Sequence, residues 1–268
     1  MAEAKNPDEI FPVPTASSTS MATNPLPSFI KSGDVTGTED IKSNEIRLPR
    51  LAIAQGLSDQ VNPDHSSHIE GLKLFDMFND LNGDKFGRGP ISFIPIKRDV
   101  RRVEFVPRNQ GGGIADPDVP ATDQRNEWTV DEDGKRRPPK ATKFVDFIVM
   151  MVRENGQLEP IVLSIKTTNK YNRTAAARLT TFIKLRRAPI YSGYYSVSSK
   201  QEKNDQGPFG VYIINNVRMF NESEEKIYRV CEEFAASLSG KTIVVTREPG
   251  EDDGDDDDFP PVPISTDM

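Results

Sequence analysis

Lysine, arginine and tyrosine side chains alternate through the middle of the chain, where residues 160–200 hold eight Lys or Arg and no Asp or Glu. Cations bind phosphates, and aromatic rings stack on unpaired bases, a contact worth about 1–3 kcal/mol per base. Because every base has a face to stack on, such a surface tolerates any sequence. The stretch predicts binding of single-stranded nucleic acid through Lys166, Lys170, Tyr171, Arg173, Arg178, Lys184, Tyr191 and Tyr194.

A second cationic cluster, "IKRDVRR" at residues 96–102, is predicted to turn at Asp99 and to flank the same groove; a solvated turn is the alternative. The residues of this cluster are Lys97, Arg98, Arg101 and Arg102. Tyr194 and Tyr195 are adjacent, so in a strand they face opposite ways and one of them is expected in the core. The expectation is a continuous cationic trough wide enough for one unpaired strand.

The sequence offers little for catalysis. His65 and His68 are its only histidines and lie among Ser and Pro, which favours a surface loop over a metal site. Cys231 falls on the apolar face of the last predicted helix, as a buried structural thiol would. "GRGP" and "GGGI" are not phosphate-binding loops, because neither ends in Gly-Lys-Ser/Thr or lies between a predicted strand and a predicted helix. We therefore expect no enzyme activity, no cofactor and no metal.

Charge divides the chain into three parts. The net charge is −7, but residues 1–43 carry −3, residues 44–247 carry +5 and residues 248–268 carry −9. The first part is rich in Pro, Ser and Thr, which predicts a disordered arm. The last part predicts a disordered acidic tail, because its like charges repel one another and it has little apolar surface to bury. The tail serves solubility, mimics a polyanion or docks a partner; its candidate contact residues are Asp255, Asp256, Asp257, Asp258 and Phe259.

Composition also limits the compartment. A single cysteine excludes an internal disulfide and fits a reducing cytosol. No apolar run reaches the ~18 residues of a membrane helix, and the N-terminus does not resemble a signal peptide. We expect no membrane association.

The predicted elements are mostly short strands. Residues 44–58 predict a short extended segment at a sheet edge, because Pro49 cannot donate a ladder hydrogen bond. Residues 91–98 and 101–107 predict two strands joined by a tight turn. A hairpin is predicted from 143–152 and 160–166, a helix over 173–186, and strands at 190–199, 209–218 and 241–247. Asn221 and Glu224 form a capping-box pattern before a last helix. Residues 109–142 are predicted as a long polar loop in which Trp128 either stacks on bases or, as we favour, plugs the loop.

About seven strands without regular strand–helix alternation exclude a doubly wound sheet. The fold predicted is mainly β (α+β): an oligonucleotide-binding (OB)-like, partly open antiparallel barrel with long loop insertions, one inserted helix and one C-terminal helix.

Several segments, in order, are similar to a group of tailed-bacteriophage proteins: "LPRLAIAQGLSDQV", "HIEGLKLFDMFNDLNGDKFGRGPISFIPI", "PIVLSIKTTNKYNRTAAARLTTFI" and "PIYSGYYSVSSKQEKNDQGPFGVYII". The resemblance spans about residues 45–216 and points to phage single-stranded DNA-binding proteins. It implies an OB barrel with an acidic tail ending in an aromatic, which Phe259 matches. Here the chain continues with "PPVPISTDM", which departs from that pattern.

Together these observations predict a sequence-independent single-stranded DNA-binding protein of phage DNA replication, recombination or repair, in the cytoplasm of the infected bacterium. The tail would modulate DNA binding and recruit replication or recombination proteins, and self-association into a homo-oligomer stays open. The alternatives are a virion or assembly protein with interaction arms and a metal-dependent DNA-processing enzyme.

Overall fold

The computed structural model describes residues 48–107, 110–153, 155–204 and 207–240. Within these ranges the chain forms eleven strands and two α-helices. In chain order they are β1 (Arg50–Ile53), β2 (Met77–Asn79), β3 (Lys85–Gly87), β4 (Ile91–Phe105), β5 (Ile114–Asp116), β6 (Thr129–Val130), β7 (Arg136–Arg137), β8 (Ala141–Val152), β9 (Leu158–Lys166), α1 (Lys170–Arg186), β10 (Gly193–Asn204), β11 (Gly207–Met219) and α2 (Glu225–Ser237).

Five long strands organise the molecule. β4, β8 and β9 form an antiparallel meander, and α1 then leads to β10, which pairs antiparallel with the other side of β4. β11 pairs with β10, so the sheet order is β11-β10-β4-β8-β9-β1-β2-β3, with β5 also on β4. A meander, an inserted helix and a returning hairpin confirm the predicted mainly-β, OB-like fold with one inserted helix and one C-terminal helix.

The sheet curls into a half-barrel, because its end strand β11 lies against the segment around β1. The Tyr212 hydroxyl of β11 donates to the Leu51 carbonyl over 2.7 Å. The Gln55 side chain pairs with the Gly210 backbone in both directions: Gln55 Nε2 donates to Gly210 O (3.1 Å) and Gly210 N–H donates to Gln55 Oε1 (2.8 Å). A side-chain amide thus replaces a strand at this point of the curl.

Two apolar cores lie on opposite faces of the sheet. The inner core holds Phe93, Phe147 and Tyr195 and is covered by Leu179 of α1. The outer core includes Ile94, Ile148 and Val162, and α2 contributes Cys231 to it. Alternation of side chains along each strand supplies both cores, so the central strands are apolar on both faces.

One prediction about the strands was wrong in a way that matters for the cations. β4 is a single strand of 15 residues, where two strands and a turn at Asp99 were predicted. Asp99 stays in register with Asp146 of β8, and its Oδ1 accepts the N–H of Val100 over 2.8 Å. A β-bulge between Pro95 and Lys97 bends β4 near the position where a turn is predicted, so the chain curves without leaving the strand.

Other boundaries also changed. β1 lies between β9 and β2 and is no edge strand, because Pro49 precedes the ladder and its carbonyl accepts the Val162 N–H. The predicted 143–152/160–166 hairpin is confirmed as β8–β9, and α1 begins three residues earlier than predicted. The insert, predicted as a long loop, contains β5 and the β6–β7 hairpin. The predicted strand at 241–247, the N-terminal arm and the acidic tail lie outside the described residues.

Candidate nucleic-acid interface

The helix α1 presents a cationic face to solvent. It contains no acidic residue, and its four exposed cations fall within an arc of about 140° at the ordinary helical repeat. None of the four forms an ion pair with a carboxylate in the part of the chain that the structure describes. These residues, which we call the α1 face, are Lys170, Arg173, Arg178 and Lys184.

Local sequence explains why α1 forms and how it is oriented. Asn169 caps the helix by accepting the Asn172 N–H over 2.8 Å. Ala175, Ala176 and Leu179 are buried against the inner core, which turns the opposite side outward. The helix ends at Arg187, whose φ of 52° is left-handed.

The charges at the start of α1 oppose the helix dipole. The first turn has no acidic residue and begins with Lys170, followed by Arg173. The helix N-terminus is partially positive, so each cation there destabilises the helix by about 0.3–1 kcal/mol, whereas an acidic residue would stabilise it. Departures from local preference of this kind are expected at functional positions.

Tyr171 lies at the same end of α1 and is half-buried. Its ring centroid is 6.2 Å from that of Phe209 on β11, and Lys170 Nζ lies 4.9 Å from the Tyr171 ring. The strand that leads into α1 ends at Lys166, whose Nζ is 6.0 Å from the Phe105 ring. The structure therefore brings together Lys170, Tyr171, Arg173, Arg178 and Lys184 on α1. Lys166 is opposite Phe144 in the β8–β9 ladder and, by strand alternation, faces the outer-core side with Arg101, so it is not part of the α1 surface.

The cationic cluster of β4 does not join this surface as a unit, because successive side chains of a strand point to opposite faces. Lys97 Nζ donates to Leu238 O at the end of α2, 3.2 Å away. Arg101 bonds Asp146 (Nε–Oδ2 2.5 Å) and lies 4.7 Å over the Phe144 ring. Arg98 and Arg102 lie on the opposite face of β4. The predicted continuous trough is thus divided over separate surfaces.

Two of the predicted stacking residues belong to the outer core instead. Tyr194 is 5% exposed and packs edge-on against Phe220 at 4.9 Å. Tyr191 is half-buried with its ring 5.3 Å from Tyr228 of α2. Burial raises the pKa of Tyr194 and of Tyr191 above the ordinary tyrosine value. Tyr194 and Tyr195 do face opposite ways, but both are core, so Tyr194 has no ring face open to a base.

Sequence reasoning missed residues that the β10–β11 hairpin brings to Tyr171. Lys200 and Glu202 alternate on one face of β10, and Phe209 lies directly opposite Glu202 in the ladder. In the sequence, only the two-residue spacing of Lys200 and Glu202 indicates that their side chains share one face of a strand. Trp128 is not a plug: it is 47% exposed and lies against Arg136 of β7, 5.0 Å from the ring centroid.

Some predicted features have no structural description. Asp255, Asp256, Asp257, Asp258 and Phe259 lie outside the described residues. In the described ranges, no group of three or more His, Cys, Asp or Glu is placed to hold a metal ion. Neither α1 nor α2 combines the length and the apolarity of a membrane span.

Comparison with known proteins gives one match. A family model described as Pam3 phage gp34-like protein matches residues 18–244, which is most of the chain and includes the α1 face and the β10–β11 hairpin. The match ends before the acidic tail. No curated protein matches the chain, and no solved structure does.

Proposed function

The chain belongs to the Pam3 phage gp34-like protein family, and from that premise we propose that it binds single-stranded DNA without sequence preference during phage DNA replication, recombination or repair. The single observation that carries the proposal is the α1 face, with its four exposed cations and with Tyr171 at its N-terminal end. The protein acts as a binding protein without catalysis, in the cytoplasm of the infected host.

The type of contact follows from these residues. The exposed cations of α1 form a positive face along which the phosphates of a flexible strand can lie. Tyr171 and Phe209 are aromatic groups beside those cations, and stacking on them is independent of base identity.

The acidic tail supports regulation of the same surface. It carries −9 and follows a body of net +5, so tail and DNA would compete for the α1 face. Tethering to the same chain gives the tail an effective concentration on the order of millimolar, which discourages weak binding of DNA while leaving tight binding possible. Once DNA displaces the tail, its aspartates and Phe259 are available to replication or recombination proteins.

The test is a binding titration on the full chain. Lys170→Gln/Arg173→Gln should weaken binding of labelled oligo-dT by about tenfold, and should make the dependence of log affinity on log salt less steep by about 1.4, because two phosphate contacts are lost. Fluorescence anisotropy between about 50 and 200 mM salt measures both quantities.

The matched control is Lys226→Gln/Arg229→Gln, which removes two exposed cations from α2. It should leave affinity and salt dependence unchanged. Equal effects of the two double variants would mean that only net charge matters and that α1 is no DNA surface. A wild-type chain that does not bind oligo-dT at low salt would favour the virion or assembly function instead.

A further inference from the structure

A carboxylate is held at the N-terminal end of α1 by groups that bind anions. Glu202 Oε1 lies 2.7 Å from Lys200 Nζ. The Tyr171 ring lies against Phe209, which is directly opposite Glu202 in the β10–β11 ladder, so Tyr171 is beside the same carboxylate. The Glu202 side chain is only 18% exposed, whereas the Lys200 side chain is 62% exposed. The carboxylate therefore lies inward, between the hairpin and the helix.

The surroundings keep this carboxylate ionised. The pKa of Glu202 is lowered, first by the hydrogen bond from Lys200 and further by Tyr171 and the positive charge of Lys170. Lys170 is also the first residue of α1, where the helix dipole adds positive potential. Lys200 thus pairs with this anion, while the charge of Lys170 and the start of α1 add positive potential around it.

The same place adjoins an aromatic pair. Phe209 is opposite Glu202 across the β10–β11 ladder, and its ring contacts Tyr171. An anion in the position of the carboxylate would have these rings beside it. A phosphate followed by a base has this combination of charge and planar ring.

We propose that Lys170, Tyr171 and Lys200 form a phosphate-binding site for single-stranded DNA, in which Glu202 occupies the place of a phosphate until DNA displaces it. Carboxylate and phosphate oxygens accept the same hydrogen bonds, so the exchange needs no rearrangement of the donors. The inference rests on the proposed function. It adds a competitor internal to the fold and distinct from the acidic tail.

An ordinary surface ion pair would behave differently. Exposed pairs between neighbouring strand residues contribute about 0–1 kcal/mol and their removal leaves ligand binding unchanged. If Glu202 competes with phosphate, its neutralisation must strengthen binding, which is the opposite of the usual effect of altering a site.

The decisive variant is Glu202→Gln, which keeps the size of the side chain and removes its charge. Affinity for oligo-dT should rise about threefold to fivefold, and the salt dependence should steepen by about 0.7, corresponding to one additional phosphate contact. The control Glu225→Gln removes a similarly paired glutamate of α2, which bonds Arg229, and should leave binding unchanged. Unchanged or weaker binding by Glu202→Gln would overturn the inference.

A second measurement separates this inference from the proposed function. In Glu202→Gln, inorganic phosphate should shift the backbone amide resonances of Lys170, Tyr171 and Lys200 at lower concentration than in the wild-type chain. If neither protein binds DNA but phosphate shifts these amides in the variant, the anion site stands and the DNA-binding function falls. If phosphate leaves the amides of the variant unshifted, the anion site is wrong whatever the DNA result.

Discussion

Replacing Gly193 with alanine is expected to disrupt the junction between α1 and the β10–β11 hairpin. Gly193 is the first residue of β10 and pairs with Met219 of β11. A Cβ atom at this position would clash with Arg186 Nη1 and with the Arg218 carbonyl oxygen, and would lie 2.8 Å from Met219 Cα. Two of these three atoms are backbone, so the clash is relieved only if the two strands move apart.

The size of the effect follows from what the strands and Arg186 would lose. Forcing an extra methyl group into a packed site costs about 1–3 kcal/mol. Arg186 lies 4.1 Å over the Tyr195 ring, and its Nη2 donates to Tyr194 O (3.2 Å) and Arg218 O (3.1 Å). Losing one hydrogen bond from a charged group costs about 1.5–3 kcal/mol. We expect the free energy of unfolding to fall by about 3 kcal/mol, or Tm by about 6–12 °C.

Urea unfolding followed by far-ultraviolet circular dichroism measures this loss. Tryptophan fluorescence is unsuitable, because the only tryptophan, Trp128, directly precedes β6 and is exposed to solvent. Gly56→Ala is the control: no atom lies within 4 Å of the point where its added methyl group would stand, so a change below about 0.5 kcal/mol is expected. A loss below about 1 kcal/mol for Gly193→Ala would refute the assumption that the hairpin and α1 are rigidly joined.

Two further predictions concern charge. Deletion of residues 248–268 should tighten oligo-dT binding in anisotropy titrations, most at low salt; unchanged affinity would indicate an interaction arm that does not compete with DNA. Asp123 accepts hydrogen bonds from the side chain and the backbone of Arg125, which lower its pKa from 3.8 to about 2. Because the folded pKa is the lower one, the stabilisation is complete above about pH 4 and is lost as the pH falls towards 2. Urea unfolding across this range should show a smaller pH dependence for Asp123→Asn than for the wild-type chain, and parallel curves would contradict the pairing.

The features that sequence predicted well are those set by nearby residues. The capping box of Asn221 and Glu224 is confirmed, because its hydrogen bonds join residues three apart. The β8–β9 hairpin is confirmed for the same reason, since strand alternation and an Asn-Gly turn are local signals. The solvent-facing cations of α1 also follow from helical spacing alone.

The failures are long-range. Nothing near Arg101 in sequence shows that its partner is Asp146, 45 residues away. Lys97 belongs to the cluster predicted to flank the groove, but its Nζ donates to Leu238 O at the end of α2, 141 residues later. Tyr194 was expected at the surface because cations precede it, whereas its burial depends on Phe220 and α2. Composition predicted the charge of the middle segment, but the pairing of strands decided which charges share a surface.

The pairing of Gln55 with Gly210 has a consequence for the protein at high concentration. An unpaired strand at the end of a sheet is a template on which another chain can add, and growth from such a template leads to aggregates. On β11, Gln55 occupies the N–H and C=O of Gly210, and Asn172 of α1 accepts the N–H of Tyr212 over 3.2 Å. Two side chains therefore occupy the outward-facing backbone groups of Gly210 and Tyr212 and block strand addition at these two residues of β11.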